Sequence, residues 1–172
     1  MKATAPVTET LPTLKLAEAS SKGVLILGIG NPLMGDDGAG IRVIECLAEK
    51  DLPPDVKVEE AGLPGWGLPS WFESWPKVIL VDAVQMGHAP GTWRRFETQE
   101  VQVVMEDEAL SLHQPDLACG LALAQALDLL PESLILYGIE PAEIRPGAGL
   151  SPEVCACLPE IVESIIKELE KK

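Results

Sequence analysis

One stretch near the start narrows the possible folds sharply. The apolar run Val24-Leu25-Ile26-Leu27 leads into the turn Gly28-Ile29-Gly30-Asn31-Pro32-Leu33-Met34-Gly35-Asp36-Asp37-Gly38-Ala39-Gly40 and then into the helical pattern Ile41-Arg42-Val43-Ile44-Glu45-Cys46-Leu47. Strand, glycine-rich turn and helix follow one another directly. A run that is apolar at every position reads as a strand covered on both faces. The turn lies at the carboxyl end of that strand, where open α/β sheets place their ligands. It presents two adjacent carboxylates, Asp36 and Asp37. These favour a metal ion or a proton-transfer site over a phosphate.

The alternation continues along the chain. The first helix spans about residues 39–50 and stops before Pro53-Pro54. Val56–Ala61 alternates like a strand, a turn-rich loop follows, and residues 67–74 suit a short helix. Lys77–Ala83 is a second buried strand whose apolar run ends in Asp82, and Thr92–Phe96 fits a strand at the sheet edge. An amphipathic helix is expected over about 115–129, a strand over Leu134–Ile139, and a last helix from Ser151 to about 170, with Ser151 as N-cap and Pro152 at the first helical position. The expected fold is α/β: a single domain over residues 23–172, built on a doubly wound, mostly parallel twisted sheet of about five strands with helices on both faces. Residues 1–22 read as a flexible N-terminal arm. The 24–28 strand is expected beside the 78–82 strand, with 56–61 outside. The winding then reverses between the first and third strands, and the crevice beyond their carboxyl ends holds Asp36, Asp37 and Asp82.

Charge and composition exclude several classes. With 27 acidic against 13 basic residues, the formal net charge is −14. Such a surface repels nucleic-acid phosphates and anionic lipid, so neither nucleic acid nor membrane is an expected partner. The sequence has neither an apolar run of about 18 residues nor a signal-peptide core, and a cytoplasmic location is expected. The cysteines at 46, 119, 155 and 157 are then thiols. Cys46 and Cys119 suit small core positions, and Cys155-Ala156-Cys157 lacks the second ligand pair of a zinc finger. A Gly-x-Ser-x-Gly elbow is missing, and Gly28-x-Gly30-x-x-Leu33 lacks the third glycine of a dinucleotide fingerprint.

The candidate chemistry rests on few residues. A carboxylate closing a buried strand, as Asp82 does here, is costly unless paired, hydrogen-bonded or metal-bound. Of the two turn acids, one is expected to cap the helix, Asp36, leaving Asp37 to point into the crevice. Only two histidines exist: His88 fits a solvated turn, whereas His113, before the 115–129 helix, would complete a set of two carboxylates and one imidazole. That set suits a divalent transition metal such as nickel or zinc. Trp66, Trp71 and Trp75 cluster in a segment rich in glycine and proline, and one or more of them is expected to line a groove for a protein partner.

These motifs together resemble the endopeptidases that mature the large subunit of nickel-iron hydrogenases. The glycine-acid turn over 28–40 is similar to the family's opening signature, and Val81-Asp82-Ala83 with Pro90-Gly91-Thr92 to its second motif. Ser111-Leu112-His113 is similar to the third, and Gly138-Ile139-Glu140-Pro141 and Gly149-Leu150-Ser151-Pro152 resemble the closing stretch. The resemblance implies that Asp37, Asp82 and His113 are the catalytic and metal-contacting residues. It implies nickel as the metal, carried by the substrate and replaceable by zinc or cadmium. The implied partner is the hydrogenase large-subunit precursor, from which a C-terminal peptide is cut after nickel insertion. A non-catalytic nickel-sensing protein and a nucleotide-binding α/β enzyme are the alternative readings.

Overall fold

The computed structural model describes residues 23–101, 111–112 and 115–171. Its elements follow the expected order: β1 (Val24–Ile29), α1 (Ala39–Ala48), β2 (Val56–Gly62), α2 (Leu68–Phe72), β3 (Lys77–Gln85), β4 (Trp93–Glu97), β5 (Ser111–Leu112), α3 (Pro115–Ala126), β6 (Ser133–Ile139) and α4 (Pro152–Glu170). Short 3-10 turns at Gly35–Gly38 and Gly65–Gly67 precede α1 and α2.

Five strands lie in the order β2-β1-β3-β6-β4, and β5 pairs with β3. The contacts of β1 with β2 and β3, and of β3 with β6, are parallel. The edge strand β4 runs antiparallel to β6, as β5 does to β3. The chain therefore winds outward from β1 to β2 and then back past β1 to β3, which puts the switch point between β1 and β3.

Alternation along the buried strands divides the core in two. Leu25, Leu27, Ile29, Val78, Leu80, Val84, Leu134 and Leu136 pack with Leu68 and Phe72 of α2 and Leu117 and Leu121 of α3. Ile26, Ile79, Val81, Ile135, Tyr137 and Ile139 pack with Ala39, Val43, Ile44 and Leu47 of α1 and Ile161, Val162 and Ile165 of α4. Both faces of the sheet are thus covered. This explains why β1, β3 and β6 are apolar at almost every position.

Some boundaries differ from expectation. The helix expected over 115–129 ends at Ala126, because Asp128 takes a left-handed backbone (φ 57) and breaks the hydrogen-bond ladder. At α4 the expected cap is present: Ser151 Oγ accepts the N–H of Val154 at 3.3 Å. Pro159 lies inside the same helix, where it supplies no N–H to the turn before it. The expected arm over residues 1–22 lies outside the described residues.

A buried ion cluster ties α4 to the sheet. Glu168, 5% exposed, accepts from Lys77 Nζ at 3.0 Å, Arg95 Nε at 3.2 Å and Lys171 Nζ at 3.0 Å. Burial alone raises a carboxyl, but Lys77, Lys171 and Arg95 outweigh it and hold Glu168 at about 2. A carboxyl with a lowered folded value stabilises above its unfolded value of about 4.3, and the contribution disappears as pH falls toward 2. Glu168→Gln is therefore expected to cost about 2 kcal/mol at pH 7. Thermal melts of both proteins against pH check this: their midpoints should converge below pH about 4.

Candidate active site

The site begins where β1 ends. Gly30 has φ +117, and a Cβ there would lie 1.8 Å from the carbonyl oxygen of Asp37, so only glycine allows the turn to fold back on itself. The reversal lets Asn31 N–H donate to Asp37 Oδ2 at 2.7 Å, while Asn31 Oδ1 accepts the N–H of Leu33 at 3.0 Å. At the start of α1, Gly40 lies so close to the strand ends that a Cβ would sit 2.2 Å from Val81 O and 2.4 Å from Ile29 O. The first turn of α1 is thereby pressed onto the carboxyl ends of β1 and β3.

That approach carries Asp37 toward Asp82. Both carboxylates are buried, at 1% and 2% exposure. Asp82 does not close its strand as expected. β3 continues to Gln85, held by β6 on one side and joined by β5 beyond Asp82. The partner that stops is β1, whose pairing with β3 ends at Gly28 and Val81, one residue before Asp82. Asp82 therefore occupies the gap where the central strands part. Its Oδ1 accepts the N–H of Ala83 at 2.8 Å. Burial and then the negative charge of Asp37 raise its carboxyl well above the usual range, against the opposing Ala83 hydrogen bond.

Asp36 has a different role from the one expected. Neither the 3-10 turn nor α1 has a side-chain cap. Asp36 is fully buried, and it gathers three backbone N–H groups from the segment between β6 and α4: Ala142 at 2.8 Å, Glu143 at 3.0 Å and Ser151 at 2.6 Å. Its own N–H donates to Glu143 O at 3.0 Å. The cap assignment fails because the turn enters α1 through a 3-10 segment that aims this carboxylate sideways into the neighbouring loop. Glu140 does similar work on the other side, accepting the N–H groups of Met86 at 2.7 Å and His88 at 3.1 Å to shape the turn after β3. Sequence reasoning gave Glu140 no role. The signal was present, since it follows the apolar run of β6 much as Asp82 follows that of β3.

The other candidates divide as follows. His113 lies outside the described residues, and the described chain reaches Leu112, which pairs with Val84 two positions from Asp82. His88 is exposed, as expected. Trp71 and Trp75 pack against the core, whereas Trp66 is 69% exposed. No helix among the described residues is long and apolar enough to cross a membrane.

Two buried carboxylates in electrostatic reach of each other have two stable states: a proton held on one, or a cation bound by the pair. The two carboxylates supply oxygen donors of the kind divalent ions accept, while among the described residues no group of three or more potential ligands gathers to hold a metal ion.

The fold is shared with known proteins. The model of the HycI family, described as hydrogenase maturation protease, matches residues 41–168. A hydrogenase expression/formation protein HupD of Rhodobacter capsulatus is 34% identical over 148 residues, covering 85% of this chain and 70% of that protein. The hydrogenase maturating endopeptidase HybD of Escherichia coli superposes with a TM-score of 0.77 at 30% identity, covering 87% of this chain and 93% of that one. A [NiFe] hydrogenase maturation protease HybD of Thermococcus kodakarensis superposes with a TM-score of 0.71 at 32% identity, covering 86% and 99%.

Proposed function

Because this chain belongs to the hydrogenase maturation protease family, we propose that it removes the C-terminal propeptide from the large-subunit precursor of a nickel-iron hydrogenase after nickel insertion. In this reading the nickel arrives with the precursor and is recognised by Asp37, Asp82 and His113. Zinc or cadmium can replace it at the same donors.

The observation that carries the reading is the pair of buried acids at the switch point, with the charge of Asp37 felt at Asp82. A divalent ion relieves that repulsion. Strand pairing adds support for the third ligand. Asp82 shares its parity along β3 with Val78, Leu80 and Val84, whose side chains face α2 and α3, and the Leu112–Val84 pair brings the chain to that neighbourhood just before His113. With the ion of the substrate held there, its Lewis acidity is available to the scissile carbonyl. Asp82, whose affinity for a proton is raised, is suited to take one from the attacking water. The four unbridged thiols support a reducing cytoplasm as the place of action.

The test is incubation of the purified protein with a nickel-loaded precursor, followed by intact-mass measurement. Loss of mass at the precursor's C-terminus is expected, and His113→Ala should slow it at least about a hundredfold. A precursor left whole by the wild-type chain overturns the proposal. Binding without cleavage would favour a nickel-sensing protein instead.

A further inference from the structure

Helices α1 and α4 pack together on one face of the sheet and differ in length. α1 has 10 residues and α4 has 19, about 15 Å of helix against about 29 Å. The shorter helix leaves part of the longer one uncovered. A groove of about 600 Å³ lies there, lined by Cys46, Leu158, Val162 and Ile166, with Glu49 and Glu163 among its charged residues. Cavities of that size bury a ligand. Around it Val24, Cys46, Leu52, Ile166 and Leu169 pack against the core of this face and stay only partly buried.

The chain enters the fold beside this groove. Val24, the first residue of β1, is itself one of the partly buried side chains on that core. It pairs with Lys77 of β3, and Lys77 Nζ donates to Glu168 O at 3.4 Å and to Glu168 Oε1 at 3.0 Å, two residues beyond Ile166. The end of the groove at Ile166 therefore adjoins the point where residues 1–22 join β1. Those residues lie outside the span 41–168 that the family model matches. Their densest apolar stretch is Leu11-Pro12-Thr13-Leu14-Lys15-Leu16, with three leucines in six residues. Leu16 precedes Gly23 by seven residues, which gives about 23 Å of reach. Residues 1–22 carry three lysines and two glutamates in a chain of net charge −14, so this surface does not repel them as it repels the acidic body of another copy.

We infer that residues 11–16 of this chain dock in the groove between α1 and α4, with Leu11, Leu14 and Leu16 covering Cys46, Val162 and Ile166 and with Lys15 near the carboxylates of Glu49 and Glu163. The tether decides the occupant. A segment joined to β1 at Val24 competes at an effective concentration in the mM range, so weak contacts suffice to fill the groove. Burial of apolar surface drives the docking, which extends over α4 the cover that α1 leaves short. Docking here involves neither Asp37 nor Asp82 and holds whether or not the chain cleaves a precursor.

Thiol reactivity tests this. Cys46 lines the groove, whereas Cys119 is partly buried on α3, which packs on the other face of the sheet. The full chain carrying Leu11→Ser, Leu14→Ser and Leu16→Ser together is treated with N-ethylmaleimide beside wild type, and the alkylation rate at each cysteine is followed by peptide mass. All three substitutions lie outside residues 23–171, so the core is intact. Cys46 should react at least about fivefold faster in the variant, while Cys119 stays within about twofold. Equal Cys46 rates overturn the inference. Equal acceleration at both cysteines means general loosening and overturns it too. Protection of wild-type Cys46 that rises with protein concentration assigns the groove to a second copy, and protection that arises only on adding precursor assigns it to the precursor; either result overturns the inference.

Discussion

Asp82→Asn is expected to abolish precursor processing while making the metal-free protein more stable at neutral pH. The activity loss should be at least about a hundredfold, because the change removes a proposed metal ligand and proton acceptor in one step. The stability gain follows from the sign of the pKa shift. Burial and the charge of Asp37 hold the Asp82 carboxyl well above its ordinary value. A carboxyl raised on folding favours the native state below its unfolded value of about 3.9, and that advantage is lost as pH rises through the raised folded value. At pH 7 the wild-type chain retains this penalty, and asparagine carries no charge to desolvate. Its Oδ1 can still accept the Ala83 N–H that Asp82 holds at 2.8 Å. Thermal melts of the two metal-free proteins should show the variant higher at pH 7–8, with the difference closing toward pH 4. A variant that melts lower at pH 7 would mean that the buried carboxylate is a net stabiliser, and that burial beside Asp37 does not raise its proton affinity. Such an exchange of stability for function is common at sites that hold a charge in readiness for a ligand.

Asp36→Ala should be among the most destabilising single changes in the chain, at about 3–5 kcal/mol or roughly 10 °C in melting midpoint. The carboxylate satisfies the N–H groups of Ala142, Glu143 and Ser151 at once. Truncation leaves three donors facing a void from which water was excluded. Hydrogen exchange gives the specific readout: the amides of these three residues should lose protection before the core strands do. Asp36→Asn should fall between, since one amide oxygen can still accept while the NH2 group faces donors. Processing should also suffer, because Asp36 shares the 3-10 turn with Asp37. Unchanged exchange at Ser151 would show that another group anchors the segment.

How much of the fold and the site was legible in the sequence depended on the range of the interactions involved. The apolar runs over 24–27, 78–81 and 134–139 dictated buried strands, and the helical patterns between them dictated a parallel sheet wound in two directions. Burial on both faces leaves almost no freedom in which residues such a strand can use, so the pattern is readable position by position. The end of β3 lies two residues beyond the expected Ala83, at Gln85. The run of apolar residues stops at Asp82, but the hydrogen bonds continue through Gln85 because β6 and β5 still supply partners. A strand ends where its neighbours end, and sequence pattern does not carry that.

The acids show the division most clearly. Two adjacent aspartates in a glycine turn announce a site, and nothing local separates their duties. Capping is the local solution for Asp36, and the chain uses a distant one, directing it to residues more than a hundred positions away. Glu140, and Glu168 with its cations Lys77 and Arg95, are likewise defined by partners remote in sequence. Residue types and periodicity therefore settled the sheet, its winding and the end at which Asp37 and Asp82 gather. Which carboxylate holds a loop, which bears a raised proton affinity and which tryptophan meets solvent were decided by long-range packing, since hydrogen-bond partners, burial and charge neighbours exist only once the strands and helices have been brought together.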